Sequence, residues 1–164
     1  MSAACASDAE TRAARDDHAA IRLWLRLFAT HRRVEARMRR RLLGRFGTTL
    51  PRFDLMAQLE RAPRGLPMNE LSRRMMVTGG NVTGITDLLV KEGLVERVAD
   101  AADRRVWLVR LTRTGRRTFA AMAAEHERWV VEALAPLSAR EMSAMGALLA
   151  RVKAHVRSLE ERQA

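Results

Sequence analysis

The amino-acid sequence predicts a mainly α-helical fold carrying one small β-hairpin. Three observations point to it. Residues 68–111 pass from apolar residues at helical spacing into two short β-rich runs separated by a charged tip. Both ends of the chain carry long stretches in which apolar residues recur every third or fourth position. With 164 residues, 48% of them apolar, the chain is long enough for one domain with a substantial core.

Taken in order, residues 1–15, MSAACASDAETRAAR, lack the basic start and apolar centre of a signal peptide and read as a flexible, cytoplasmic N-terminal tail. From Asp16 to Phe46 a long helix is predicted, with Ile21, Trp24, Leu25, Phe28, Met38, Leu42 and Phe46 as its apolar stripe and Gly44 and Gly47 at its fraying end. Within it, RMRRRLLGR at residues 37–45 reads either as a solvated helix face or as a patch facing phosphates or a partner. Thr49 and Pro51 start a second helix through Leu55, Met56 and Leu59, which ERAPRGLP breaks.

Pro67 stands where the first residue of a third helix belongs, because its missing N–H costs nothing there, and Leu71 and Met75 follow at helical spacing. Thr78 supplies a hydroxyl suited to cap the next helix, over Thr78 to Glu92, with Val82, Ile85, Leu88 and Leu89 on its inner side. Gly79, Gly80 and Gly84 cost a helix roughly 1 kcal/mol each relative to alanine where they fall in its interior. Close approach to another surface, such as a DNA groove, is a reason to keep them. Gly93 ends the helix. Leu94–Val98 and Val106–Leu111 read as strands, and the tip between them, ADAADRR, is too polar to be buried. Two helices followed by a hairpin wing make a winged helix-turn-helix, a DNA-reading device.

Leu111, Thr112 and Gly115 open another helix, with Thr112 as its cap and Phe119, Met122, Ala123, Trp129, Val130 and Ala133 as its apolar positions, ending at Pro136. Ser138 and Glu141 have capping-box spacing. Behind them Met142, Met145, Leu148, Leu149, Val152, Val156 and Leu159 form a stripe that needs another helix against it. The predicted organisation is therefore a winged helix-turn-helix over 51–111 and a helical dimerisation region built from both chain ends, 16–50 and 112–162.

The stretches VTGGNVTGITDLLVKEGLVERV and DRRVWLVRLTRTG resemble the recognition helix and wing of the multiple-antibiotic-resistance regulator (MarR) family of bacterial transcription factors. The resemblance extends, more weakly, over roughly residues 20 to 160. It implies a homodimer, joined through the terminal helices, that binds a palindromic double-stranded operator.

Composition agrees with such a partner. The net charge of +11 favours polyanions, although of the 30 basic residues only Lys91 and Lys153 are lysine, a skew that nucleotide composition of a genome also produces. Arg104 and Arg105, at an exposed turn, are suited to a narrow minor groove. Asp103, two residues before Arg105, is placed to hold that guanidinium through a bidentate pair, as an Asp-x-Arg wing pair does in the resembled family. The resemblance also puts Asn81 and Thr83 at base edges. Thr78 and Gly79 lie where the helix N-terminus faces a phosphate. Gly84 departs from relatives that carry a long side chain there, which shifts the expected readout toward the wing. Arg73 and Arg74 read as positioning contacts or as solvated surface.

The resemblance further implies a repressor released by a small anionic aromatic effector. Trp24, Phe28, His31 and Arg32 on the first helix, with His126 and Trp129 on the later one, offer rings and a cation for such a ligand. A hydrogen-bonded core or interface histidine is the alternative for His126. The run TTLPRFDLMAQLERAP with GGNVTG is similar to relatives tied to aromatic acids or their coenzyme A thioesters.

Other classes fit less well. His18, His31, His126 and His155 form no HxxxH or HExxH pattern, so no metal is expected. Cys5, the only cysteine, excludes an intrachain disulfide, and the first long helix lacks the cysteine with which some members of the family sense oxidants. No phosphate loop or GxSxG elbow suggests an enzyme or a cofactor, and no apolar run approaches the length of a membrane span. A sequence-indifferent architectural DNA protein shares the basic charge and is the alternative function.

Overall fold

The computed structural model describes residues 9–101 and 103–162, with side chains described from His18 onward. Cys5 and positions 1–8 of the predicted tail lie outside the described residues. Two compact units are distinguished, one reaching to Ala123 and the other beginning at Ala124.

The first unit opens with α1 (Ala9–Phe46), so residues 9–15, assigned from sequence to the tail, are helical. Helix α1 stops where Gly47 takes a φ of +60°. Its buried residues, Met38 and Leu42, lie near that end, whereas Trp24, Leu25 and Phe28 of the predicted stripe are exposed in the single chain. Helix α2 (Leu50–Glu60) starts after Thr49 with Pro51 in its first turn and buries Phe53, Leu55, Met56 and Leu59. A two-residue strand β1 (Leu66–Pro67) follows, then α3 (Met68–Met75), α4 (Gly79–Lys91), β2 (Val95–Ala99) and β3 (Trp107–Leu111).

Strand β1, not anticipated from sequence, places Pro67 as the N-cap of α3 rather than its first helical residue. It pairs antiparallel with β3, Leu66 opposite Val109, and β3 pairs with β2, Val95 opposite Leu111, giving the order β1-β3-β2. The hairpin strands begin one residue later than expected. Inward-facing Val95, Val109 and Leu111 meet Leu55, Leu59, Leu71, Val82 and Leu89 in one core. Full burial of each such side chain contributes roughly 1.5–3 kcal/mol, which fixes the two helices of the turn against the sheet.

Helix α4 differs from the predicted pattern at one point. Thr86 is fully buried and its hydroxyl donates to the Val82 carbonyl at 2.8 Å, while Leu88 is 52% exposed. A threonine that satisfies its own hydroxyl inside the helix is cheap to bury, so the inner face turns toward 82, 86 and 89. Gly93, at a φ of +69°, ends the helix as expected.

Helix α5 (Arg113–Leu134) starts as the sequence indicates, with the Thr112 hydroxyl accepting from the Gly115 amide at 2.9 Å. In the second unit, the Ser138–Glu141 capping box forms at the start of α6 (Ala139–Glu161), the Glu141 amide donating to Ser138 and the Ser138 amide to the Glu141 carboxylate. No residue of α6 is buried. Its stripe, including Leu148 and Val152, lies open to solvent in the single chain.

Trp129 is buried on α5, and burial pushes the His126 imidazole below its ordinary value of 6.5. The folded chain therefore holds fewer protons at this site than the unfolded chain once pH falls below 6.5. Stability from His126 is complete well above 6.5, declines as pH falls from there, and levels off below the lowered folded value. Thermal unfolding at pH 7.5 and 5.5 should show a smaller acid shift for His126→Gln than for the natural chain; equal shifts would contradict this.

Candidate nucleic-acid interface

Helix α4 presents an outer face made mostly of small groups. Thr78 is its N-cap residue, with extended backbone, but its hydroxyl makes no capping hydrogen bond, contrary to the sequence expectation. The first amides of α4 thus lack a side-chain acceptor, as a helix N-terminus facing a phosphate requires. Asn81 and Thr83 are exposed, and the Thr83 hydroxyl donates to the Gly79 carbonyl at 2.9 Å, so its methyl is left as the outward group. A Cβ added at Gly80 or Gly84 would meet nothing within 4 Å. These glycines do not serve packing within the chain.

The turn between α3 and α4 contains Met76 with a φ of 53°, in the left-handed region uncommon for residues other than glycine. Before it, Arg73 donates to both Glu70 carboxylate oxygens at 2.9 and 2.7 Å, and Arg74 donates to one at 2.7 Å. The Arg73 and Arg74 guanidiniums hold the Glu70 carboxyl down at about 2. Glu70 was not singled out from sequence, although its spacing of three and four residues to the arginines was a legible signal.

The wing tip departs from expectation in one respect. Asp103 Oδ1 accepts from the Arg105 backbone amide at 3.0 Å instead of gripping its guanidinium. Asparagine and aspartate commonly close a turn onto an amide two residues on, and the tip is tightened further by the Val106 amide donating to the Asp103 carbonyl at 2.9 Å. Arg104 and Arg105 remain exposed. At its base the wing is braced by Arg110 donating to Glu96 on the paired strand at 2.7 Å and by Arg97 donating to Asp87 of α4 at 2.5 Å. The second link joins wing and helix across elements, and no local sequence signal indicates it.

The residues suggested for a ligand fall into two groups. Trp24 and Phe28 stack with centroids 6.0 Å apart, Arg32 lies 5.6 Å above the Phe28 ring and His31 is 3.7 Å from Glu35, all on exposed turns of α1. His126 and Trp129 belong to the second unit. Among the described residues no group of three or more His, Cys, Asp or Glu could hold a metal ion. Nor is any described helix long and apolar enough to cross a membrane.

Two helices joined by a tight turn, a three-stranded sheet with an arginine-tipped hairpin, and a small-residue helix face make this a winged helix-turn-helix DNA-binding protein. A family model described as MarR family matches residues 46–106. A MarR family transcriptional regulator from Silicibacter pomeroyi is 33% identical, with a TM-score of 0.74 over 86% of this chain and 97% of that one. The HTH-type transcriptional regulator YdgJ of Bacillus subtilis is 30% identical over 114 residues, covering 70% of this chain and 69% of the relative. A mutant of MarR from E. coli complexed with operator DNA shares the fold at 24% identity, with a TM-score of 0.71 over 80% of this chain and 94% of that one. The chain belongs to the MarR family of transcriptional regulators.

Proposed function

We propose that the protein is a sequence-specific, homodimeric, cytoplasmic repressor that leaves its operator when a small aromatic acid or a related thioester binds. The observation that carries DNA reading is the outer face of α4, where Asn81 and Thr83 project between glycines that no part of the chain fills. Asparagine pairs with adenine and a threonine methyl meets thymine. The open α6 stripe supports dimerisation with α1, whose Trp24, Leu25 and Phe28 are likewise exposed. A two-fold dimer places its recognition helices in major grooves about one helical turn apart, on a palindromic site. The α1 cluster of rings and Arg32 supports an anionic aromatic effector.

The test is a titration against DNA from upstream of the protein's own gene, with random DNA of equal length as control. Preference for the upstream DNA by at least ~10³ supports a regulator. Equal binding of both would favour an architectural role. Adding aromatic acids or thioesters to the specific complex then tests release.

On this reading Glu70 restrains Arg73 and Arg74. Glu70→Gln removes one negative charge and the anchor of both guanidiniums, so operator binding should tighten. Its salt dependence should steepen by about 0.9 in log–log slope for each phosphate newly contacted. An unchanged slope in a salt titration would remove the two arginines from the interface.

A further inference from the structure

Side chains alternate between the two faces of a strand, so Trp107, at the start of β3, shares a face with Val109 and Leu111 and, across the hairpin, with Ala99, Arg97 and Val95. Val95, Val109 and Leu111 are buried in the core, and Arg97 reaches Asp87 of α4 at 2.5 Å. This is therefore the face of the wing turned toward α4. Trp107 lies beyond the Arg97–Asp87 brace, at the tip end of β3 and two residues from Arg105. Opposite it stands Ala99, too small to cover an indole, and Trp107 is 57% exposed. The indole makes no hydrogen bond or ring contact among the described residues.

An indole combines a large apolar ring with one N–H donor, and it suits a surface that is apolar at one end and polar at the other. The residues around Trp107 specify that surface. Asp87 lies one helical turn beyond Thr83, so the brace stands at the edge of the outer face of α4, and Arg104 and Arg105 are exposed on the other side of Trp107. With α4 in a major groove and the wing arginines in the next minor groove, a sugar–phosphate strand runs between them. Trp107 stands between the same two elements and faces that strand. Deoxyribose supplies apolar C–H surface for the ring, and phosphate oxygens accept from the N–H. An uncharged partner would instead have to cover the two wing arginines without pairing them, which is unfavourable.

We infer that Trp107 is a contact to the DNA backbone, its ring packed on a deoxyribose and its Nε1 donating to the neighbouring phosphate of the strand between the two grooves. The inference rests on the interface of α4 and wing proposed above. The contact is neutral and touches no base edge. It therefore adds affinity without releasing a counterion and without preferring a base.

Acrylamide quenching of tryptophan fluorescence in the full-length protein, free and saturated with the upstream DNA, reads the contact directly. The chain has three tryptophans, Trp24, Trp107 and Trp129. DNA should shield an indole in the natural chain, and the shielding should be absent in Trp107→Phe. In binding titrations Trp107→Ala should be weaker by roughly tenfold, the size of one lost hydrogen bond to a charged acceptor. Trp107→Phe, which keeps a ring but removes the N–H, should fall between the two. Both variants should keep the natural melting temperature and the natural salt slope. Shielding that persists in Trp107→Phe, undiminished affinity of Trp107→Ala, or a loss accompanied by a shallower salt slope would overturn the contact. Arg105→Ala, titrated alongside, separates this inference from the reading beneath it. Weakening by Arg105→Ala but not by Trp107→Ala contradicts the Trp107 contact alone, whereas no effect of either contradicts the wing interface as well.

Discussion

Gly115→Ala is expected to destabilise the folded chain by about 3 kcal/mol or more, the upper end of overpacking costs. A Cβ at this position would sit 1.9 Å from the Leu94 carbonyl oxygen, a backbone atom that no rotamer change can move aside. That carbonyl is also held in place, accepting from the Thr112 amide at 3.0 Å, while the Thr112 hydroxyl donates to the Gly93 carbonyl at 2.8 Å. The start of α5 is thereby tied to the start of β2, and the methyl must break the tie or displace the strand. Gly84→Ala is the contrast: the site is open, and exchanging a mid-helix glycine for alanine should stabilise by roughly 0.5–1 kcal/mol. Urea unfolding of both variants checks the pair. Similar midpoints for Gly115→Ala and the natural chain would mean that the α5 entry is not as close to β2 as described.

The second large effect lies in the wing. Arg105→Ala should weaken operator binding by roughly 1 to 3 kcal/mol while leaving thermal stability unchanged, because its exposed guanidinium supports no packing. The Asp103 geometry sharpens the expectation. Since its carboxylate secures the Arg105 amide and not the guanidinium, Asp103→Ala should act by loosening the turn that presents Arg105. Fluorescence-anisotropy titration measures both variants, and undiminished affinity of Arg105→Ala would remove the wing from the interface.

The order of elements was legible because each has a local cause. Pro51 in a first turn, Gly93 after a last turn, the Thr112 cap and the Ser138–Glu141 box are short-range devices that a one-dimensional reading detects. What the sequence concealed depends on partners distant along the chain. Strand β1 is two residues long and exists only through β3, so nothing within LP announces it. Burial of Thr86 in place of Leu88 rests on a hydroxyl satisfied by the Val82 carbonyl, which residue hydropathy does not encode. The Arg97–Asp87 brace and the Arg52–Glu92 pair join residues on different elements, beyond the reach of helical or strand periodicity. The wing arginines and the helix face at Asn81 and Thr83 were readable because charge and small size are properties of the residues themselves. The direction of the Asp103 carboxylate was not, because a turn offers it both an amide and a guanidinium.

Whether α4 and the wing together read DNA is decided by footprinting the protein on DNA from upstream of its own gene. Two patches of protected guanine N7 are expected in the major groove, centred about one helical turn apart, each flanked by a minor-groove protection that disappears with Arg105→Ala. Protection spread evenly along any DNA, or two major-groove patches whose flanks are indifferent to Arg105, would contradict it.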